Sequence, residues 1–200
     1  MQAETPYNPL EKKNLGISVA DALLQRPLGP LPPAEPFIAA GIYALYYNGD
    51  FPTYRPISLR HREDKKEIPI YVGKAIPKGG RKGIESALSA GPVLYNRLTE
   101  HAESITAARN IELSDFLCRY LAVDDIWIPL GESLMIQMFA PVWNVILEGF
   151  GNHDPGAGRH AGEKPRWDVV HPGRAWASRM QKPNKRSEEE LLRLIDEHFA

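Results

Sequence analysis

The sequence predicts an α+β protein built on a small three-stranded sheet, mixed or antiparallel, that helices flank. Two short apolar and aromatic runs, Gly41–Tyr47 and Glu67–Ala75, are typical of strands, and Asp115–Asp125 alternates apolar and polar residues like a third. Helical periodicity follows the second run over 92–108, and the third over 129–139. The middle of the chain therefore has the order β–β–α–β–α.

Elaborations surround this central unit. A helix is expected over about 15–25, before a proline-rich connector at Pro27–Pro36, and Ser187 is a good N-cap for a C-terminal helix. A polar loop of about twenty residues, basic in its middle, joins the first two strands, and Gly149–Trp176 is glycine-rich and irregular. We divide the chain into an N-terminal extension, 1–36, a central domain, 37–177, and a C-terminal helix, 178–200.

The charge of the chain is balanced overall but uneven locally. A net charge of −1, from 24 basic and 25 acidic residues, argues against a protein that coats nucleic acid without sequence specificity, because such binding depends on an excess of basic residues. Between Tyr71 and His101, however, five lysines and arginines face only two glutamates. The local charge therefore favours contact with DNA.

The remaining composition indicates where the protein works. No run of eighteen apolar residues occurs, so no membrane partner is expected. The N-terminus lacks the basic and apolar regions of a signal peptide, and the single cysteine, Cys118, forbids an internal disulfide. We expect a cytoplasmic protein.

Three side chains stand out by their place on helices. His101 projects within the apolar stripe of the helix over 92–108, and Arg97 flanks that stripe one turn earlier. Taken alone, they are typical of a core histidine beside a snorkelling arginine. Glu132, in the first turn of the next helix, leans inward; it either complements the helix dipole or binds a hard cation such as Mg²⁺.

The order of the motifs is more specific than any one of them. Gly-Ile-Tyr ends at Tyr43, Tyr-Val-Gly begins at Tyr71, Asn-Arg-x-x-Glu-His ends at His101, Glu132 opens a helix, and Pro-Val-Trp-Asn ends in the following loop at Asn144. This succession resembles the GIY-YIG nuclease superfamily. Two departures are Val in place of Ile in the second motif and a longer loop between the two tyrosine motifs.

The resemblance implies a role for each of these residues. Tyr43 is the expected general base, assisted by His101, and Tyr71 lines the same pocket. Arg97 stabilises the pentacovalent phosphate, and Asn144 anchors the local geometry. Glu132 holds one Mg²⁺ per active site as its sole protein ligand, with Mn²⁺ able to substitute. A tyrosine is a poor base at neutral pH, so the group that removes the proton stays open, and Tyr71 or Lys74 could share that role.

The C-terminal part carries a narrower resemblance. Gly149–Arg159 and Trp167–Ala177 resemble the small type II restriction endonucleases of this superfamily that recognise CCGCGG. The resemblance implies double-stranded DNA as partner, a homodimer on that DNA and a functionally paired DNA methyltransferase. The expected DNA contacts are Lys74, Arg81, Lys82, Asn152, His153, Arg159 and Arg174. His153, His160 and His171 lie in glycine- and proline-rich sequence without the spacing of a zinc site, which is typical of solvated turn residues. For His153, a DNA contact is the alternative that the resemblance favours.

Three functions are compatible with the motifs. The first is a type II restriction endonuclease that cuts at a short GC-rich palindrome. The second is a structure-specific or homing nuclease, which a separate DNA-binding domain would normally accompany. The third is a catalytically silent DNA-binding module, but such a module has no chemical need of Tyr43, Arg97, His101 and Glu132 together.

Overall fold

The computed structural model describes residues 7–63, 67–77 and 91–200. In these ranges the strands are β1 (Gly29–Pro30), β2 (Gly41–Tyr47), β3 (Pro69–Ala75) and β4 (Phe116–Ala122). The helices are α1 (Lys12–Leu24), α2 (Arg55–Arg62), α3 (Val93–Ala107), α4 (Ile128–Phe139), α5 (Val142–Val145), α6 (Arg166–Val170) and α7 (Glu188–Phe199). In the described part of the chain, no helix is long and apolar enough to span a membrane.

The strands form one sheet in the order β1–β4–β2–β3, and every neighbouring pair is antiparallel. The predicted α+β class is therefore confirmed. Of the two sheet types that the sequence left open, mixed and antiparallel, the structure has the antiparallel one. The proline-rich connector adds a fourth strand, because Gly29 and Pro30 pair with the edge of β4. Proline lacks a backbone donor, and an edge position tolerates that loss.

Helices cover both faces of the sheet, so every residue of β2 is buried. One face carries Tyr43, Leu45 and Tyr47 into a core shared with α3, α5, α6 and α7. The other face carries Ile42, Ala44 and Tyr46 into a core shared with α1 and α4. Strand alternation separates the two sets, because successive side chains point to opposite faces.

The N-terminal helix packs directly on the helix that carries Glu132. A side-chain carbon on Gly131 of α4 would lie 2.6 Å from a methyl group of Val19, so only glycine lets α1 approach this closely. Helix α1 also begins earlier than expected, at Lys12. The N-terminal segment is thus part of one of the two cores.

The segment between β2 and β3 is not the irregular loop that its polar composition suggests. It forms a 3₁₀ turn at Pro52–Tyr54, and α2 follows. Prolines early in both elements favour the helical start, because their fixed φ suits it and their missing donor is not needed there. Tyr54, Ile57 and Ser58 are buried, while Arg55, Arg60 and Arg62 face solvent.

Two details near the site differ from the sequence-based expectation. Helix α4 begins at Ile128, after Trp127, so Glu132 lies beyond the first turn and does not serve the helix dipole there. Residues Val142–Val145, expected as a loop, form the short helix α5. The predicted N-cap of α7 is confirmed, since Ser187 and Glu190 form a reciprocal capping box.

Candidate active site

The first tyrosine motif and the second meet across a strand pair. Tyr43 on β2 is the register partner of Gly73 on β3. A side-chain carbon on Gly73 would collide with the ring and the hydroxyl group of Tyr43. The phenol of Tyr43 therefore lies across Gly73, and this close approach explains why the second motif has glycine at that position.

A short hydrogen bond joins Tyr43 to α3. The hydroxyl oxygen of Tyr43 lies 2.6 Å from Nε2 of His101, and both side chains are buried. Burial raises the pKa of Tyr43 well above its usual value, and the charge of Arg97 opposes that rise. Burial, aided by the positive charge of Arg97, lowers the pKa of His101 well below its usual value. Both partners are thus neutral near pH 7, and the phenol donates to Nε2 when the imidazole proton sits on Nδ1.

The second tyrosine and the arginine complete this side of the site. The ring of Tyr71 lies 6.2 Å from that of Tyr43 and 5.2 Å from that of His101, measured between centroids. Burial raises the pKa of Tyr71, and the nearby guanidinium of Arg97 opposes the rise. One cation therefore opposes the rise in pKa of both phenols.

A carboxylate–ammonium pair lies at the edge of the same site. Nζ of Lys74 on β3 is 2.6 Å from Oε2 of Glu132 on α4, and the Glu132 side chain is 17% exposed. The negative charge of Glu132 also raises the pKa of Tyr43 and of Tyr71, which places it within electrostatic reach of both. A partly accessible carboxylate beside phenols fits one divalent cation, because Mg²⁺ accepts one or two carboxylates and completes its shell with water and phosphate oxygens.

Asn144 ties the edge strand of the sheet to α5. Its side-chain amide donates to the carbonyl of Val72 at 2.8 Å, and its Oδ1 accepts from the Val72 amide at 2.8 Å. Val72 stands between Tyr71 and Gly73, so this double hydrogen bond fixes the backbone that presents both. One asparagine thereby satisfies the backbone N–H and C=O groups of Val72 on the edge strand β3.

The guanidinium of Arg97 is held by three groups of the protein. Its NH1 donates to Oε2 of Glu100 at 3.0 Å and also contacts Nε2 of His153. Its NH2 donates to the carbonyl of Gly151 at 2.5 Å. Next to that carbonyl, the ring of Phe150 stacks on His101 with 4.5 Å between centroids. The segment after α5 therefore closes over the site.

The site thus combines a buried phenol–imidazole pair, a fixed cation and the partly exposed carboxylate of Glu132. Residues 35–199 match the family described as the Eco29kI GIY-YIG domain. The chain belongs to the Eco29kI GIY-YIG family. Among curated proteins, none matches the chain.

Membership in this family confirms the resemblance to the GIY-YIG superfamily. Eco29kI-type domains form a restriction endonuclease family, so the chain is a nuclease that binds and hydrolyses DNA. GIY-YIG nucleases generally depend on a divalent metal. The fold brings Tyr43, Tyr71, Arg97 and His101 into one centre, sets Glu132 at its edge and uses Asn144 to hold its strand; their individual roles stay predictions.

Of the expected DNA contacts, Arg174 is placed differently. Its side chain is only 3% exposed, because it is buried in an ion pair with Asp168. Glycine and proline around it indicated an exposed loop, but two tryptophans bury it. Arg174 therefore has no surface to offer DNA.

The other expected DNA contacts divide into three groups. Lys74 pairs with Glu132 and is 39% exposed. Arg81 and Lys82 lie outside the described residues. Asn152, His153 and Arg159 line a surface cavity of about 460 Å³ that lies against the Arg97 side of the site.

His171 also departs from expectation, because it is fully buried instead of lying in a solvated turn. Its Nε2 is 2.6 Å from the hydroxyl oxygen of Tyr54, and burial lowers its pKa to about 3. The apolar residues Trp167 and Val170 that precede it are one signal of this burial. The stacking of Phe150 on His101 was also not predicted from the sequence, and no local sequence pattern indicates it.

Proposed function

We propose that the protein is a type II restriction endonuclease that hydrolyses double-stranded DNA at a short GC-rich palindrome. The observation that carries this proposal is that the hydrogen-bonded Tyr43–His101 pair lies within reach of charges of both signs, Arg97 and Glu132. A catalytically silent DNA-binding module would gain nothing from a buried phenol–imidazole pair next to a cation. The family membership indicates that the substrate is DNA. The geometry of the site supports a protein that hydrolyses DNA rather than one that only binds it.

The pair offers a path for the proton of the attacking water. Tyr43 accepts that proton at its hydroxyl oxygen while its own proton passes to Nε2 of His101. Neither partner needs to be ionised beforehand, which suits the raised pKa of Tyr43 and the lowered pKa of His101. The oxygen of water then bonds to phosphorus, the bond from phosphorus to the 3′ oxygen breaks, and the leaving 3′ oxygen takes a proton from solvent water.

Arg97 supplies the positive charge for the phosphorane that forms during this attack. A guanidinium donates two parallel hydrogen bonds to phosphate oxygens, and a fixed cation in a partly buried site stabilises developing charge more than one in water. Its side chain is 18% exposed, so one edge can meet a phosphate without a large rearrangement. Glu100 is the partner that a phosphate would compete with.

Glu132 would hold the Mg²⁺ ion, with Mn²⁺ able to replace it. When bound, the ion supplies Lewis acidity at the phosphate and stabilisation of the leaving oxygen. Lys74 pairs with Glu132 and is partly exposed, so its ammonium group can turn to a DNA phosphate. Asn144 keeps β3, and with it Tyr71 and Lys74, in place.

A palindromic target requires two copies of the site, so we further propose a homodimer on DNA and a functional pairing with a DNA methyltransferase that protects the same sequence. The bases would be read by the segment between β2 and β3 and by residues 152–163. Asn152, His153 and Arg159 are exposed there, and arginine with two hydrogen bonds to guanine is the commonest base-specific contact. Arg81 and Lys82 stay candidates for phosphate contacts.

Digestion of a plasmid of known sequence tests this proposal. Purified protein with Mg²⁺ should yield discrete fragments, and mapping of their ends should give one GC-rich palindrome, with CCGCGG as the first candidate. A smear of products, or cleavage only at branched or damaged DNA, would contradict restriction and favour a structure-specific nuclease.

A further inference from the structure

The segment Gly149–His153, here called the cover loop, touches several of the side chains that the proposed chemistry uses. The ring of Phe150 lies nearly parallel to His101, with 4.5 Å between centroids, and stands nearly perpendicular to Tyr71, with 4.9 Å between centroids. The carbonyl of Gly151 accepts a hydrogen bond of 2.5 Å from Arg97. One short loop thus contacts both the imidazole and the guanidinium.

The cover loop is irregular, so its carbonyl groups find their partners outside regular secondary structure. Arg174 provides them: its NH1 donates to the carbonyls of Phe150 at 2.9 Å and Asn152 at 3.2 Å, and its NH2 donates to that of Gly149 at 3.0 Å. These three bonds bracket Gly151, whose own carbonyl is left to face Arg97. A buried guanidinium with five fixed donors suits such a set of carbonyls.

Arg174 is in turn held firmly. Asp168 accepts hydrogen bonds from its Nε, at 2.7 Å, and from its NH2, and the two side chains are buried. The guanidinium lies 4.6 Å from the ring of Trp167 and 4.6 Å from that of Trp176. A buried charge tolerates such a place only when it is paired and hydrogen-bonded, and both conditions are met here. The loop therefore rests on a rigid support.

We propose that the cover loop, clamped by Arg174 and Asp168, is a positioning element of the nuclease that sets the guanidinium of Arg97 and shields the imidazole of His101. This inference rests on the proposed roles of Arg97 and His101. The Gly151 carbonyl fixes NH2 of Arg97, while NH1 donates to Glu100 and contacts His153. The Phe150 ring keeps water from competing with Tyr43 for His101. Arg174, expected from the sequence to contact DNA, thus serves the reaction from behind the loop.

Gly151 offers a variant that tests the loop without breaking its support. A side-chain carbon there would lie 2.7 Å from the hydroxyl oxygen of Tyr71 and 3.0 Å from NH2 of Arg97. Gly151 does not have a positive φ, so alanine is tolerated by the backbone itself. Gly151→Ala therefore moves the two catalytic side chains with little other cost. Gly29→Ala is the matched control, because nothing lies within 4 Å of the added carbon.

The experiment measures single-turnover cleavage of a plasmid with wild-type protein, Gly151→Ala, Gly29→Ala and Arg97→Ala. We expect Gly151→Ala to lower the rate constant about 10- to 100-fold with less change in DNA affinity, since a misplacement of about 1 Å can cost that much. Gly29→Ala should match the wild type. If wild-type protein cleaves and Arg97→Ala does not, but Gly151→Ala cleaves at the wild-type rate, the inference is overturned and the proposed function stands.

A second readout does not depend on cleavage. The NMR signals of the Arg97 Nε–H group and of the His101 ring in DNA-free protein should shift in Gly151→Ala and stay unchanged in Gly29→Ala. Unchanged signals in both variants would overturn the positioning role even in a protein that fails to cut DNA. Arg174→Met should shift the same signals, with Arg193→Met, on the exposed face of α7, as its control.

Discussion

Two buried tyrosine–histidine pairs in this protein have nearly the same geometry. In each, a tyrosine hydroxyl lies 2.6 Å from the Nε2 atom of a histidine: Tyr43 with His101, and Tyr54 with His171. In each, burial raises the pKa of the tyrosine and lowers that of the histidine. Distance, burial and the direction of the pKa shift do not distinguish a catalytic pair from a structural one.

The surroundings of the two pairs are what differ. Tyr54 also accepts a hydrogen bond of 2.8 Å from Trp143, and Nδ1 of His171 donates to the Asn110 side chain at 2.9 Å. Asn110 in turn donates to the Val170 carbonyl at 2.8 Å, so this chain of hydrogen bonds closes on itself within the protein. Its neighbours are aromatic and uncharged.

The first pair has charged neighbours instead. Arg97 and Glu132 both act on Tyr43, and Lys74 pairs with Glu132. Charges of both signs are expensive near a buried pair, and their presence is typical of a site that stabilises a changing charge distribution. This difference supports the proposed role of Tyr43 in proton transfer. The hydrogen bond of Tyr54 instead joins the segment between β2 and β3 to His171 in the C-terminal region.

The largest effect is expected from removing the carboxylate that only the first pair has nearby. Glu132→Gln should abolish Mg²⁺-dependent cleavage, because the amide that replaces the carboxylate is a much weaker ligand for a hard cation. The fold and the binding of DNA without metal should be kept. Cleavage of plasmid DNA and a gel-shift assay measure the two properties, with Glu103→Gln, on the exposed side of α3, as control. Cleavage by Glu132→Gln at the wild-type rate would remove Glu132 from the site.

Stability should respond to pH through both pairs. The pKa of His171 falls to about 3 in the fold, and that of His101 lies well below its usual value, whereas both return to about 6.5 in the unfolded chain. Below that value the unfolded chain binds more protons, so the free energy of unfolding falls as pH falls, by about 1.4 kcal/mol per pH unit for each histidine.

Urea unfolding between about pH 6 and pH 5 measures this slope. His171→Gln should lose the share of one histidine, and His198→Gln, near the C-terminus and without a buried pair, should keep the wild-type slope. An unchanged slope in His171→Gln would show that His171 already titrates normally in the fold. The rate of cleavage should respond to the protonation of His101 and not to that of His171.

The smallest expected effect is that of pH on the rate of cleavage, which should stay nearly constant between about pH 7 and pH 9. Both partners of the Tyr43–His101 pair are neutral across this range, since one pKa is raised above 10 and the other lowered below 6.5. A relay that starts from neutral partners gives a nearly flat single-turnover rate constant. A phenolate base would give a rise of about tenfold per pH unit, because its population grows in that proportion below its pKa. Such a rise would contradict the proton relay and indicate that ionised Tyr43 is the base.

Much of the candidate site could be predicted from the sequence, because the order of its motifs resembles the GIY-YIG superfamily and several of its parts also have a local signal. The strand with Tyr43 is a continuous apolar run, His101 falls in the apolar stripe of α3, and Asn144 follows a proline that ends α4. The α+β class follows from the alternation of these periodicities, and the family match confirms it.

The remaining features depend on contacts between distant segments. Tyr54 and His171 are 117 positions apart, and polar composition around each suggested exposed loops. Arg174 looked like a DNA contact because arginine among glycines is usually solvated, but Asp168 and the two tryptophans enclose it. A short strand such as β1 has no pattern of its own, because two residues are too few to show one.

A matched pair of phenylalanine variants tests the distinction between the two pairs most directly. Single-turnover cleavage and thermal unfolding are measured for Tyr43→Phe and for Tyr54→Phe under the same conditions. Tyr43→Phe should slow cleavage about 10²- to 10⁴-fold, the usual contribution of a general base. Tyr54→Phe should cut DNA within about threefold of wild type but lose about 1–3 kcal/mol of stability, because Trp143 and His171 lose their shared partner. Equal losses of activity in the two variants, or a larger loss in Tyr54→Phe, would contradict the assignment of the Tyr43–His101 pair as the catalytic one.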